Sequence, residues 1–341
     1  MMARTAVVTG GSAGIGLATA EHLVRKGWNV AILARDASRL DGARRLLEGQ
    51  GGRVLALGVD VADARAVDEA ADRIERELGP IEAWINNAMS TVIAPADRIS
   101  PAEYERVTAT TYLSQVYGTL AALRHMKPRR RGAIVQVSSG LAIRAAPLQA
   151  AYCGAKFAVS GFTDALRSEL IADDVPVSLS VVYLPAVNTP QSTWSRTHTG
   201  RDQVIPDPLF DPRLCARAIV SAIDDPQREI WVGRTSVVMA VAQALAPGLA
   251  DRRAAAMRKA QLGAPMPNRA GNLFEPIAGP ARIDGDGGDR VTGFAGEFFT
   301  SRQRHLARLA LVLGGLGLAF AAGRRADSGM RTLGRSRRGW R

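Results

Sequence analysis

The sequence predicts an α/β fold: a doubly wound parallel sheet of about seven strands with helices on both faces, followed by a C-terminal helical and irregular extension. Three observations predict it. Short β-branched runs alternate with longer amphipathic segments through the first 235 residues. A glycine-rich turn joins the first such run to the first amphipathic segment. The alternation stops after Gly233, where composition shifts. Strands separated by helical crossovers run parallel, and the crossovers cover the sheet on both sides.

The strands are predicted, in order, at 5–9, 29–34, 54–58, 83–86, 133–137, 177–183 and 229–232. The helices between them fall near 14–26, 38–49, 63–78, 101–126, 151–172 and 213–224, where apolar residues recur with helical spacing. Residues 235–262 read as helical, with Met239, Val241, Leu245, Leu249 and Met257 as apolar positions. Residues 263–300 are rich in Gly, Pro and Asp and read as an irregular linker. Residues 306–323 are almost wholly apolar, and the last eighteen are Arg/Gly/Ser-rich, a disordered composition. The predicted division is therefore a catalytic domain at 1–235, a helix and linker at 236–300, and an apolar segment with a basic tail at 301–341.

Met1 is followed within a few residues by the first strand, so no signal peptide is expected and the cytoplasmic face is the default location. Two cysteines, Cys153 and Cys215, suit a reducing compartment and cannot make a disulfide framework. His22, His125, His198 and His305 are scattered, and no CxxC or HExxH occurs, so no metal site is expected. The net charge of +12 suggests nucleic acid, but its distribution argues against it. Residues 301–341 carry ten arginines and one aspartate, +9 of the total. The body is nearly balanced, and the tail lacks interleaved aromatics apart from Trp340.

Residues 9–16 read TGGSAGIG, with Gly10, Gly14 and Gly16 placed between strand and helix. Glycines there let backbone N–H groups approach a pyrophosphate at the helix N-terminus, the Rossmann-type arrangement for a dinucleotide. Thr9, Ser12 and Ile15 complete that turn. The second strand ends Ala34-Arg35-Asp36. Arg35 favours the 2′-phosphate of NADP(H), while Asp36 leaves NAD(H) open. Asp60 and Val61 follow the third strand, placed to meet the adenine, and Asn86-Asn87-Ala88 end the fourth.

Residues 152–156 read YCGAK. On a helix, Tyr152 and Lys156 share a face. A free phenol titrates near pH ~10, and a nearby cation lowers that value, which suits proton exchange at neutral pH. Ser139, thirteen residues upstream, falls at the end of the fifth strand, where open α/β sheets place their sites. Its hydroxyl suits a substrate carbonyl on which charge develops.

TGGSAGIG, NNA at 86–88, SS at 138–139 and YCGAK, in this order and spacing, resemble the short-chain dehydrogenase/reductase family over roughly residues 3–235. The resemblance implies NAD(P)-dependent transfer of hydride between nicotinamide and a carbonyl/alcohol substrate. It implies Tyr152 as general acid/base, Lys156 as the group that holds the nicotinamide ribose and lowers the tyrosine pKa, and Ser139 as the substrate-polarising hydroxyl. Asn87 would stabilise the sheet and border the cofactor with Ala88. Pro185, Val187 and Thr189 would contact the nicotinamide carboxamide, with Ala186 replacing the usual glycine. Thr111 stands where many members carry an asparagine that holds a relay water. A homo-oligomer through the two long helices is also implied.

Substrate selectivity is expected from 188–212, where Trp194 and Phe210 are candidate lid contacts or lid-packing residues. The segment 306–323 invites three readings: an interfacial membrane attachment with arginines on anionic headgroups, a docked helix, or an unordered tail. The first makes a membrane surface a partner of residues 301–341 and the protein membrane-associated. The competing function is a non-catalytic NADP(H)-binding sensor or membrane scaffold, motivated by Thr111 and the tail.

Overall fold

A computed structural model describes residues 3–292 and 298–303. Seven parallel strands carry the fold: β1 Thr5–Thr9, β2 Asn29–Ala34, β3 Val54–Gly58, β4 Ile81–Asn86, β5 Gly132–Ser139, β6 Val177–Leu184 and β7 Glu229–Val232. They lie in the order β7-β6-β5-β4-β1-β2-β3. Chain order reverses between β1 and β4, and such a switch point opens a crevice beyond the carboxyl ends of the strands. Phe298–Thr300 is a further short strand.

Among the described residues, nine helices of eight residues or more follow the predicted rhythm: α1 Gly14–Arg25, α2 Ala37–Glu48, α3 Ala64–Leu78, α4 Pro101–Thr108, α5 Ser114–Arg129, α6 Ala150–Ala172, α7 Pro212–Asp224, α8 Arg234–Leu245 and α9 Pro247–Ala260. Local chemistry starts several of them. Asp36 accepts from the Arg39 N–H, Asp63 from those of Arg65 and Ala66, and Ser100 with Glu103 closes a capping box before Pro101. The helix predicted over 101–126 contains a π turn, Ala109–Leu113, between α4 and α5. The single helical stretch predicted over 235–262 is divided at Ala246, because Pro247 cannot continue a helix but fits its first turn.

Alternating strand residues face two apolar layers. Ala6, Val8, Val30 and Ile32 join α1, α2 and α7, while Val7, Ala31 and Leu33 join α3, α5 and α6. Both layers are closed by side chains with almost no exposure; two strands run two residues further than expected, to Ile81 at one end and to Ser139 at the other.

Residues 263–292 are irregular, as predicted, but they are tied down. Leu262–Pro265 pairs antiparallel with Arg201–Gln203, and Val291–Thr292 pairs with Leu209–Phe210. Residues 1–298 make one compact unit, and 299–341 a second, of which only 299–303 lie among the described residues. The membrane expectation is corrected. No helix among the described residues is long and apolar enough to cross a membrane, so membrane attachment and membrane-associated location are withdrawn. The apolar run 306–323 on which they rested lies outside the described residues.

Candidate active site

The carboxyl ends of β1, β4, β5 and β6 and the first turns of α1 and α6 surround one cavity of about 440 Å³. Ser139 ends β5 and its Oγ accepts the Leu141 N–H at 3.1 Å. Tyr152 and Lys156 lie one turn apart on α6, both buried. The Ser139 side chain lies close enough to the Tyr152 phenol to favour its ionised form. Lys156 Nζ donates to the Val137 carbonyl at 2.7 Å and lies 5.7 Å from the centre of the tyrosine ring. The three side chains that the sequence singled out are thus brought together on the cavity wall.

Their electrostatics differ from the sequence expectation in one respect. Burial pushes the tyrosine phenol above its ordinary range, and the neighbouring Ser139 side chain offsets only part of that. Burial alone pushes the Lys156 ammonium down to about 7. The lysine faces a backbone carbonyl that also accepts Gln115 Nε2 at 3.1 Å.

The glycine turn borders the same cavity through Gly10, Ser12, Gly14, Ile15 and Gly16. A Cβ on Gly16 would sit 2.2 Å from the Gly10 carbonyl, and Gly14 has φ +55°, so both positions demand glycine. Thr9 stands behind the turn. Its Oγ1 accepts the N–H groups of Asn87 (2.9 Å) and Ala88 (3.0 Å), while Asn87 Nδ2 donates to the Thr9 carbonyl at 2.9 Å. These bonds lock β4 to β1 at the switch point. Asn87, Ala88, Pro185, Ala186, Val187 and Thr189 line the cavity. A glycine cradle at one end and a buried lysine at the other fit a phosphate-bearing dinucleotide.

Five candidate residues are not on the cavity wall: Thr9, Arg35, Asp60, Val61 and Thr111. Thr111, in the π turn and fully buried, donates to the Ser90 carbonyl at 2.8 Å and accepts its N–H at 3.0 Å. Its only proton is held by Ser90. Asp60 pairs with Arg106 at 2.7 Å, and Val61 is part of the core. Arg35 donates to the carbonyls of Asn272 (2.6 Å), Leu273 (3.5 Å) and Phe274 (2.5 Å). Arg39 donates to the Ile277 carbonyl and stacks 4.2 Å from the Trp194 ring centre. Gly14 N–H donates to the Arg282 carbonyl at 3.0 Å, and Gly285 and Gly287 N–H groups donate to Asn188. Residues 272–287 therefore form a strap along the outer edge of the glycine turn.

Trp194 lines the cavity, whereas Phe210 is a core residue packed beneath Gly233. Met239 of α8, Met257 of α9, Gln203, Val204 and Ile205 also line it. The sequence marked both methionines only as apolar helix positions. Strand-end position identifies Ser139, but no spacing rule reports which loop a distant helix will cover.

A parallel switch-point crevice holding a glycine cradle and a Ser–Tyr–Lys group defines a nucleotide-binding enzyme scaffold. The family model described as short chain dehydrogenase matches residues 4–199. An uncharacterized oxidoreductase of Bacillus subtilis (strain 168), YxnA, is 30% identical over 248 residues, 72% of this chain and 70% of the relative. A fatty acyl-CoA reductase of Acinetobacter baylyi is 28% identical over 224 residues, 64% of this chain and 72% of the relative. Among solved structures, the alcohol dehydrogenase of the archaeon Thermococcus sibiricus complexed with 5-hydroxy-NADP superposes with a TM-score of 0.58 at 24% identity, covering 67% of this chain and 95% of that one. The chain belongs to the short chain dehydrogenase family and has the general oxidoreductase, NAD(P)-binding character of that family.

Proposed function

We propose that the protein is an NADP(H)-dependent oxidoreductase acting on a carbonyl/alcohol pair, with Tyr152 as general acid/base. The observation that carries the reading is that Ser139, Tyr152 and Lys156 line one cavity together with the glycine turn. When bound, the nicotinamide supplies or accepts the hydride. In reduction, Tyr152 Oη gives its proton to the substrate oxygen as the carbonyl carbon gains its C–H bond. Ser139 Oγ donates a hydrogen bond to that oxygen as charge develops on it. Lys156, protonated below about pH 7 in the buried state, holds positive charge beside the phenol and favours the phenolate left behind. Ile15 and Gly16 at the start of α1 would hold the pyrophosphate on the floor that Gly10 and Gly14 shape; Asn87, Pro185, Val187 and Thr189 would border the nicotinamide half.

The preference for NADP(H) rests on two arginines, Arg35 after β2 and Arg39 in the first turn of α2. Both meet neutral carbonyls of the strap, which leave the cationic charge available to a 2′-phosphate. The competing non-catalytic reading has no comparable support, because the three reactive side chains converge. The test is NADPH oxidation, followed by absorbance, against a panel of carbonyl compounds. Tyr152→Phe should lower turnover by about 10²–10⁴-fold. NADPH binding, read by fluorescence, should stay close to that of the unaltered protein. Near-normal turnover in this variant would falsify the assignment.

A further inference from the structure

We propose that the substrate is an uncharged, predominantly apolar carbonyl compound or alcohol whose carbon chain lies against Met239 and Met257. This rests on the hydride-transfer reading and names the substrate class of the same cavity. The residues matched by the family model end at 199, and eleven of the cavity-lining residues, Met239 and Met257 among them, come after it. A Cβ on Gly140, next to Ser139, would meet the Met239 methyl at 2.6 Å, so this methionine sits beside the catalytic serine. Met257, partly exposed, lines the same cavity, as do Val204 and Ile205.

The helices that present the methionines are anchored. Ser236 Oγ donates to the Val232 carbonyl at 2.8 Å, and Arg144 bridges Gln243 of α8 (3.0 Å) and Asp251 of α9 (2.5 Å). Their side chains therefore form a fixed wall of flexible, polarisable tips, which suits an apolar chain of variable shape.

Several polar groups on this wall already have partners. Gln149 Nε2 donates to Gln261 Oε1 at 3.0 Å, and Gln261 Nε2 donates to the Pro147 carbonyl at 3.2 Å. The Asp207 carboxylate pairs with Arg290 at 2.8 Å. Thr91 Oγ1, Ser138 Oγ and Gln203 Oε1 are buried without a partner and are neutral. Among the described residues, the cationic lining residues are Lys156, at the catalytic group, and Arg39, at the glycine turn. A carboxylate or phosphate on the substrate chain would thus be desolvated without a counter-charge from these residues, and a polyol would bring more hydroxyls than those three atoms can meet.

The test uses the full chain with NADPH and straight-chain aldehydes and methyl ketones of four to ten carbons, beside 2-keto acids of matched length and keto sugars. kcat/KM should rise about threefold to fourfold per methylene until the wall ends. The keto acids and keto sugars should be at least about 100-fold poorer substrates. Met257→Glu should flatten the chain-length series, and Met257→Leu should preserve it. A flat series, or preference for keto acids or keto sugars, overturns the apolar assignment while hydride transfer stands. Turnover of neither set by protein that binds NADPH overturns hydride transfer itself, and the inference with it.

Discussion

Tyr152 and Lys156 sit one helical turn apart, yet burial moves their protons in opposite directions, the phenol upward and the ammonium down to about 7. Both shifts favour the neutral form, which is what a low-dielectric wall does to any ionisable group. For the lysine this has a sign that can be followed. The unfolded chain holds that proton up to its ordinary pKa of 10.5, the folded chain only to about 7. Between those values the unfolded state binds more protons, so stability should rise with pH across this window, and the contribution is lost as pH falls through 7. Urea unfolding at pH 7 to 10 should show that rise, and Lys156→Met should remove it. An equal slope in both proteins would mean that Lys156 is charged in the folded state. Thr111 makes the complementary case. Its hydroxyl is closed on Ser90 in both directions, so Thr111→Val should cost about 1–3 kcal/mol of unfolding free energy. Thr111→Ser should restore much of it. Because Thr111 is off the cavity wall, the pH profile of turnover should not move in either variant; a moved profile would reinstate a relay role.

At the scale of elements, the catalytic body was legible because each feature has a local cause. Strand and helix periods follow from two-sided burial, the helix starts from Asp36, Asp63 and Ser100, and the glycine turn from positions where a Cβ has no room. Pro247 was visible too, but the break it imposes was missed, since the apolar spacing runs through it. The strap was not legible for a different reason. Arg35 and Gly14 bind carbonyls of residues 272–282, and any residue type offers a carbonyl. A Gly/Pro/Asp-rich composition reports that the chain turns there, not what it lies against. Arg35 is accordingly the residue on which two roles meet, and they can be separated. Arg35→Ala removes three donor contacts to the strap, so limited proteolysis within 268–287 should speed up by about tenfold or more. If Arg35 also reads the 2′-phosphate, the ratio of kcat/KM for NADPH over NADH should fall in the same variant. We expect both changes; faster cleavage with an unchanged ratio would leave Arg35 as a strap anchor and pass the phosphate role to Arg39.

The whole molecule separates charge from chemistry. Residues 1–298 form one compact unit that holds the seven parallel strands, both apolar layers and the entire cavity wall. Residues 301–341 carry +9 of the +12 net charge. The field of such charges falls off within about 8 Å at physiological ionic strength. The body itself is nearly balanced and its surface is laced with pairs such as Arg44 with Asp41 and Glu48, so that field has little to act on. Deleting 301–341 should therefore leave the melting temperature and kcat/KM close to those of the full chain in about 0.15 M salt. Elution from a cation exchanger should come much earlier, since most of the net charge is gone. The two readouts decide between roles for the tail. A drop in kcat/KM that high salt reproduces in the full chain would show that the arginines steer a charged ligand, most directly the cofactor. A drop that salt does not reproduce, with the melting temperature lowered alongside, would instead show that the body needs the tail in order to fold.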